Sequence, residues 1–309
     1  GNSWMTPTRC ATQAAARAGR AAAAGWRGAA TGATAVATLR GRAAEPRPDD
    51  QHYGRVPATY HDAFFYAKDS DYEKWQLSLV GNALTSAQPA ASARFVDVGG
   101  GTGRFAHLLQ AQLGLTEPVL CVDPSKAMLE QAAALPGVET QCADAVTFAT
   151  KSSSPASFDI CLLKECLHHV PTQQLVTLFV GLHNSLRAGG IALVVTRPKD
   201  EIDFPFFDAA TQAWAAAQPN PQIFSRAMRQ SGLADVEMSL HAFRVRLPLE
   251  SWTDMIRNRM WSTFSEENFS DQELEQGIAE IQHSCTDRLV GEHITFEERL
   301  VLIRGRKLA

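Results

Sequence analysis

The stretch "RFVDVGGGTGRFAHLL", residues 94–109, places four glycines within five positions, between an apolar run and a helical pattern. Val96 and Val98 belong to a run that is typical of a buried parallel strand, whereas Phe105 and Leu109 fall on one face of a helix. A glycine-rich turn between two such elements lets the backbone approach a ligand and directs helix N–H groups at it. The stretch therefore predicts a strand, a turn that binds a nucleotide-type cofactor, and a helix.

Strand-like and helix-like patterns alternate after this stretch. Strand-like runs lie at 118–123, 138–144, 158–165 and 191–196, and helical patterns at 125–135, 172–190 and 220–232. Ser125 and Asn220 are the expected N-caps, and Gly189 is the expected end of the second of these helices. Alternation of this kind predicts a parallel sheet with helices on both faces. Two longer strand-like runs, at 236–247 and 294–307, follow and are separated by an insert with helical character at 249–282.

The first part of the chain has a different composition. Residues 1–44 are rich in alanine and contain six arginines but neither Asp nor Glu. This composition is typical of an organelle transit peptide or of a low-complexity leader without a targeting role, and we expect residues 1–50 to be disordered. Taking these six from the 29 basic residues leaves 23 against 33 acidic ones, a net charge of about −10. A net negative charge of this size on residues 45–309 disfavours a nucleic-acid partner.

The cysteine pattern and the hydropathy indicate the kind of environment. The six cysteines include no C-x-x-C pair, so we expect reduced thiols in an intracellular protein and no metal site. The location would be a mitochondrion or plastid if the leader is a transit peptide, and the cytoplasm otherwise. No apolar run reaches the roughly 18 residues of a membrane span.

The glycine spacing separates two classes of cofactor. A nicotinamide-binding turn requires G-x-G-x-x-G, whereas Gly99, Gly101 and Gly103 give G-x-G-x-G and Arg104 takes the position of the third dinucleotide glycine. This spacing favours a cofactor other than a nicotinamide dinucleotide.

Two aspartates at strand ends add to this interpretation. Asp123 ends the second strand, where it could accept hydrogen bonds from ribose hydroxyls, and Asp144 ends the third, where it could bind an adenine amino group. Both belong to the carboxyl edge of the sheet, where doubly wound folds bind ligands. The pattern predicts an adenosine-containing cofactor.

The motifs "VDVGGGTG", "VLCVDPSKAML", "CADAV", "FDICLLKECLHHV" and "LRAGGIALVVTRP" follow in this order. Over residues 94–198 they resemble those of the class I S-adenosylmethionine-dependent methyltransferases, in particular the type 11 or ubiquinone-biosynthesis-like group that acts on small molecules. The resemblance implies an α/β, Rossmann-like, doubly wound, mostly parallel seven-stranded sheet that ends in an antiparallel hairpin, with helices on both faces, across residues 51–309. It also implies S-adenosyl-L-methionine as cofactor.

The resemblance assigns roles to residues of this chain. Asp123 would hold the ribose, Asp144 and Ala145 the adenine, and Lys164 would border the transferred methyl group. The residues that would line the methionine end are Asp97, Gly99, Gly100, Gly101 and Gly103.

Methyl transfer requires alignment more than acid–base chemistry, because the sulfonium leaving group needs no proton. A general base is needed only where the acceptor must lose a proton. Lys164, Glu165, His168 and His169 follow the fourth strand, and the two histidines are the predicted catalytic residues because the pKa of histidine lies near neutrality. Alternatively, one histidine only packs or caps the next turn.

Two segments are candidates for the acceptor pocket, 197–214 and the insert 249–282, for which a lid is predicted. Their aromatic side chains either close over the site or form ordinary packing. The insert includes Arg257 and Arg259. If these segments line the site, the acceptor is small and partly apolar, with an anionic group that meets an arginine.

The methylated atom (O, N, S or C) is not determined by the sequence. One alternative function is a non-catalytic protein of this fold that acts as a cofactor-binding or regulatory module. Another is thiol-dependent chemistry on arsenic, because Cys161 and Cys166 lie near the predicted site.

Overall fold

The strands of the computed structural model, which describes residues 69–85, 89–152 and 154–308, belong to one mixed sheet. In chain order they are β1 (Phe95–Val98), β2 (Val119–Asp123), β3 (Val138–Cys142), β4 (Phe158–Lys164), β5 (Leu186–Thr196), β6 (Ala234–Pro248), β7 (Leu289–Val290) and β8 (His293–Arg306). The predicted leader, residues 1–50, lies outside the described residues.

One described α-helix precedes the first strand, and the others connect or follow the strands. They are α1 (Asp71–Thr85), α2 (Arg104–Leu113), α3 (Lys126–Ala132), α4 (Ala145–Thr147), α5 (Leu175–Ser185), α6 (Asp208–Ala217), α7 (Pro221–Gln230), α8 (Leu249–Arg257) and α9 (Asp271–Ser284). Within the described part of the chain, no helix is both long and apolar enough to cross a membrane.

The strand order is β3-β2-β1-β4-β5-β8-β6, and β7 pairs with β8. The pairings among β1 to β5 are parallel, whereas β8 runs antiparallel to both β5 and β6. This confirms the predicted doubly wound sheet with a terminal antiparallel hairpin. The sheet has eight strands rather than seven, because the two-residue β7 adds a short pairing of Leu289 with Ile294 and of Val290 with His293.

The two faces of the sheet are both covered. Side chains that alternate along β1 point to opposite faces: Val96 and Val98 join a core that includes Leu178 of α5, and Phe95 joins a core that includes Leu109 of α2. A strand that is buried on both faces reads as a continuous apolar run, which is why the sequence indicated a parallel sheet.

The predicted helix 172–190 is wrong at both ends. Residues Thr172–Gln174 form a 3₁₀ turn, the α-helix ends at Ser185, and β5 already begins at Leu186. Leu186 is fully buried and pairs with Phe158 of β4. The sheet therefore extends the chain there despite the helical pattern of the sequence. Gly189, the expected helix end, has a φ of 81° within β5.

The two predicted N-caps are confirmed. The Ser125 hydroxyl accepts a hydrogen bond from the N–H of Met128 at 3.4 Å, and Oδ1 of Asn220 accepts one from Gln222 at 3.0 Å. Pro221 at the first position of α7 needs no hydrogen-bond partner for its nitrogen. Both helices begin where the side-chain chemistry predicts.

The segments proposed as pocket and lid form a second apolar core against β6 and β8. Trp252 is fully buried, its ring centroid lies 4.6 Å from that of Phe296, and its Nε1–H donates to the carbonyl of Pro205 at 3.0 Å. Phe264 is also fully buried. Most of these aromatic side chains therefore pack within this core, and the closure of a lid over the site stays a prediction.

Candidate active site

The glycine turn after β1 adopts a conformation that side chains would prevent. Gly99, Gly101 and Gly103 have φ values of 77°, 56° and 68°, a left-handed region that residues with a Cβ rarely enter. A Cβ at Gly99 would lie 2.5 Å from the Cβ of Cys166, whereas one at Gly101 would meet nothing within 4 Å. The turn is therefore tightly packed beneath Gly99 and open at Gly101, where a ligand can approach the backbone.

Arg104, at the position of the missing third glycine, links the turn to α1. Its Nε and Nη2 each donate to Glu73 at 2.9 Å, and its Nη2 lies 3.3 Å from Oδ1 of Asp69. Two parallel hydrogen bonds to one carboxylate give this pair a fixed geometry. The side chain that departs from the dinucleotide pattern thus attaches α1 to the first turn of α2.

Asp97 is the buried acid below the turn. Its residue exposure is 2%, and its Oδ1 has no hydrogen-bond partner among the described residues. Burial raises the pKa of Asp97 to about 7, with the Asp123 charge raising it further and the Lys164 charge opposing the rise. A buried carboxylate oxygen without a partner costs free energy unless a donor reaches it. The site therefore fits the ammonium group of the methionine moiety of S-adenosylmethionine.

Asp123 joins the end of β2 to the glycine turn. Its Oδ2 accepts a hydrogen bond from the N–H of Gly101, and its Oδ1 accepts one from Ser125, both at 2.9 Å. Each carboxylate oxygen can accept more than one hydrogen bond. The predicted contact of Asp123 with a ribose is therefore compatible with its structural role, and it stays a prediction.

Asp144 is the N-cap of α4. Its Oδ1 accepts from the N–H groups of Val146 and Thr147 at 3.0 and 2.9 Å, and its Oδ2 accepts from the Thr147 hydroxyl at 2.6 Å. Partial burial opposes ionisation of Asp144, but these hydrogen bonds hold its pKa below the usual range. The structure thus shows a capping role. The predicted adenine contact of Asp144 and Ala145 stays a prediction.

Lys164, the last residue of β4, lies beside the glycine turn. Its Nζ is 5.0 Å from the ring centroid of Phe105 in α2, within the range of a cation–π contact. The same Nζ lies 3.5 Å from Oε2 of Glu165. Its predicted position at the transferred methyl group stays a prediction.

The two predicted histidines are neighbours in the structure but lie in different environments. His168 lines a cavity, whereas His169 is exposed, and their ring centroids are 3.8 Å apart. Burial lowers the pKa of His168 to about 3, His169 and Arg197 act in the same direction, and Glu165 opposes them. The His168 imidazole is therefore neutral at physiological pH, and its low pKa makes it a weak proton acceptor in this state.

We expect His168→Gln to make the protein less sensitive to acid. The unfolded chain protonates His168 near pH 6.5 and the folded chain only near pH 3, so stability is lost as the pH falls below 6.5. Between pH 7 and pH 5 this histidine costs about 2 kcal/mol, or roughly 4–8 °C in Tm. Thermal melts at both pH values should show a smaller drop for the variant. An equal drop for His168→Gln and for His283→Gln, an exposed site in α9, would contradict the expectation.

A cavity of about 110 Å³ lies beyond the carboxyl ends of β4 and β5. Its walls come from Glu165 and His168 after β4, Thr196 and Arg197 at the end of β5, the end of α6, and residues 260–263. A cavity of roughly 150 Å³ holds a benzene ring in another protein. The present cavity is smaller but partly open to solvent, so a small molecule can enter it and extend beyond this volume. The cavity lies on the sheet edge where doubly wound folds bind ligands.

A charged network forms one wall of the cavity. Arg197 Nε donates to Oε1 of Glu298 at 2.8 Å, and Arg197 Nη1 lies 3.0 Å from Oε1 of Glu165. Burial opposes ionisation of Glu165, but Arg197 and Lys164 hold its pKa at about 2. Glu165 also has a φ of 53°, which is strained for a residue with a side chain. Strain of this kind persists where the surroundings hold a residue in place.

Sequence reasoning missed Arg197 and Glu298. One signal for Glu298 was present, because Ile294, Phe296 and Leu300 occupy the same inward face of β8 and Glu298 falls in their register. A charged residue at an inward position needs a partner of opposite charge. That Arg197 is this partner could not be read from the sequence.

The lid arginines do not serve an anionic acceptor. Arg257 pairs with Asp254 and with Glu275, and Arg259 donates to the carbonyls of Phe264 and Phe269 and to Asp271; neither arginine lines the cavity. Arg257 and Arg259 are therefore unsuited to bind an anionic acceptor group, and the expectation that such a group meets an arginine stays a prediction.

The cysteines near the site are not poised for thiolate chemistry. Burial raises the pKa of Cys161 to about 12 and also raises that of Cys166, whose thiol donates to the carbonyl of Val98 at 3.2 Å. The cysteines among the described residues are all free. Protonated, buried thiols are poor nucleophiles and poor metal ligands, which disfavours the arsenic alternative.

Comparison with known proteins agrees with this geometry. Residues 95–190 match the family described as "Methyltransferase domain". The YcgJ protein of Bacillus subtilis is similar in structure, with 18% identity, 76% of this chain and 99% of that chain covered, and a TM-score of 0.52. Phosphoethanolamine N-methyltransferase 2 of Haemonchus contortus is also similar, with 16% identity, 84% of this chain and 59% of that chain covered, and a TM-score of 0.54.

A search among curated proteins finds no match to this sequence. The matched family covers β1 to the middle of β5, which includes the glycine turn and the strand ends described above. Residues 95–190 therefore match a methyltransferase domain, and the solved structures share the fold of this chain.

Proposed function

We propose that this protein transfers a methyl group from S-adenosylmethionine to a small-molecule acceptor. The observation that carries the proposal is the cavity of about 110 Å³ on the same sheet edge as the open glycine turn. Glu165 lines this cavity and directly follows Lys164, whose ammonium group packs on α2 beside the turn. A cofactor at the turn and an acceptor in the cavity would therefore be neighbours.

S-adenosylmethionine supplies an electrophilic methyl group on a sulfonium. The lone pair of the acceptor would form the new bond to this carbon as the carbon–sulfur bond breaks, and the electron pair of that bond would remain on sulfur. The cavity would hold the acceptor in line, which is the main source of acceleration for such a displacement. His168, which is neutral and lines the cavity, is the proposed base for an acceptor that must lose a proton.

The proposal is tested with the protein, labelled S-adenosylmethionine and fractions of a metabolite extract. Mass spectrometry should detect a small molecule that gains the labelled methyl group only when the protein is present. Tight binding of S-adenosylhomocysteine without any labelled product would favour the non-catalytic alternative. Binding of NAD in place of S-adenosylhomocysteine would overturn the cofactor assignment.

We expect Asp123→Ala to weaken S-adenosylhomocysteine binding by about 2–4 kcal/mol, because charge-assisted hydrogen bonds to the ribose are lost. The loss of the contact with the Gly101 N–H would loosen the turn as well. Calorimetry measures the affinity, and Asp159→Ala at the opposite end of the sheet is the control, since Asp159 pairs with Arg187. An unchanged dissociation constant would show that Asp123 only supports the backbone.

A further inference from the structure

We propose that Glu165 is a specificity-determining residue: it selects a neutral acceptor with an N–H or O–H group and makes the cavity reject carboxylates and phosphates. This inference rests on the proposed methyl-transfer function. It names the chemical class of the acceptor, which neither the fold nor the methyltransferase domain assigns.

An unsatisfied oxygen of Glu165 carries the proposal. Its Oε1 is buried and accepts no hydrogen bond from any described residue, although the residue lines the cavity. Arg197 Nη1 is 3.0 Å from this oxygen, which is an ion-pair distance, but its direction is not that of a hydrogen bond. A buried carboxylate oxygen without a donor is costly. An acceptor that brings an N–H or O–H into the cavity would remove this cost.

The charges around the cavity exclude an anionic acceptor. The positive charge of Arg197 is shared between Glu165 and the fully buried Glu298, and that of Lys164 lies 3.5 Å from Glu165. His168 lines the same cavity and is neutral. A carboxylate or phosphate would therefore meet the negative charge of Glu165. Among the described residues that line the cavity, the cation is Arg197, which is already paired with two carboxylates. Like charges that are brought together in this way cost several kcal/mol.

The remaining walls match a small, partly apolar molecule. Trp214, Met260 and Trp261 supply apolar surface, while Thr196 and Gln218 supply hydroxyl and amide groups. The amide nitrogen of Gln218 already donates to the carbonyl of Arg197 at 3.1 Å. Glu165 thus provides the charged polar contact, and the aromatic walls provide most of the contact area.

The experiment compares two probes of nearly equal shape, benzamide and benzoate, on the protein saturated with S-adenosylhomocysteine. Only benzamide donates N–H groups, and only benzoate is anionic. Dissociation constants are measured by ligand-observed NMR. We expect benzamide to bind with a constant near 1 mM and benzoate to bind at least roughly tenfold more weakly.

The variant Glu165→Gln removes the charge with little change in shape. We expect the benzamide-to-benzoate preference to fall to less than about threefold in this variant. Glu139→Gln, the same change at an exposed position of β3, is the matched control and should keep the preference of the native protein. If Glu165→Gln shows no cooperative thermal transition, the preference measured on the native protein decides the question by itself.

Three results would overturn the inference: equal or tighter binding of benzoate to the native protein, an unchanged preference in folded Glu165→Gln, or no binding of either probe while S-adenosylhomocysteine binds. Loss of S-adenosylhomocysteine binding itself is a different result, since it would contradict the proposed function. The probe preference is then still measured on the protein alone, so the two failures are distinguishable.

Discussion

Gly99→Ala is expected to lower the stability of the protein by about 2–5 kcal/mol and to abolish measurable cofactor binding at ordinary concentrations. The left-handed φ of 77° at Gly99 costs a residue with a side chain roughly 1–2 kcal/mol. In addition, the new Cβ would lie 2.5 Å from the Cβ of Cys166, and such overpacking costs about 1–3 kcal/mol. The clash can be relieved only if the turn moves. The backbone N–H groups that would face the cofactor then move with it.

The two causes can be separated by matched variants. Gly291→Ala introduces a side chain at a φ of 64° with nothing within 4 Å of the new Cβ, so it should cost only the backbone strain and leave cofactor affinity unchanged. The double variant Gly99→Ala/Cys166→Gly removes the contact but not the strain, and it should recover part of the lost stability. Thermal melts and calorimetry with S-adenosylhomocysteine measure both effects. Native affinity in Gly99→Ala would contradict the cofactor site.

Arg197→Met is expected to lower stability by about 3–5 kcal/mol, because it leaves buried carboxylates without their cation. Glu298 is fully buried and accepts from Arg197 at 2.8 Å, and Glu165 depends on Arg197 for its low pKa. In a protein of this size the loss corresponds to roughly 6–20 °C in Tm. The deficit should shrink as the pH falls toward 4, because in the variant protonation removes the uncompensated charges.

Two comparisons sharpen this prediction. Arg187→Met breaks the partly exposed pair with Asp159, whose closest atoms are 2.8 Å apart, and should cost about 1 kcal/mol or less. Arg197→Met/Glu298→Gln removes one buried charge of each sign and should be more stable than Arg197→Met alone. Equal melting temperatures for Arg187→Met and Arg197→Met would show that the network does not hold the site together.

Much of the sheet and of the glycine turn could be predicted because their signals are local. A strand buried on both faces reads as an apolar run, and a helix repeats its apolar residues every three or four positions. The N-caps Ser125 and Asn220 were found in the same way, since a cap contacts N–H groups only two or three residues away. By contrast, the end of α5 was misplaced, because Leu186 is extended by pairing with Phe158 in a different part of the chain.

The aromatic residues of 197–214 and 249–282 show a second limit of the sequence. Trp252 and Trp261 have the same residue type and lie in the same segment, yet one is fully buried in a core and the other also lines the cavity. Residue type and spacing do not distinguish these environments, since both bury apolar surface. The packing of α8 against β6 and β8 decides between them.

The sequence by itself determined the order of strands and helices and the glycine-rich turn after β1, since each depends on neighbours along the chain. Only the tertiary structure decided that Arg197 lies between Glu165 and Glu298. Glu165 follows β4, Arg197 follows β5 and Glu298 lies within β8. These three strands are neighbours in the sheet but distant in sequence. Because β5 pairs with β4 on one side and with the antiparallel β8 on the other, the charges of the three residues meet at one place. This arrangement determines which charges form the cavity wall.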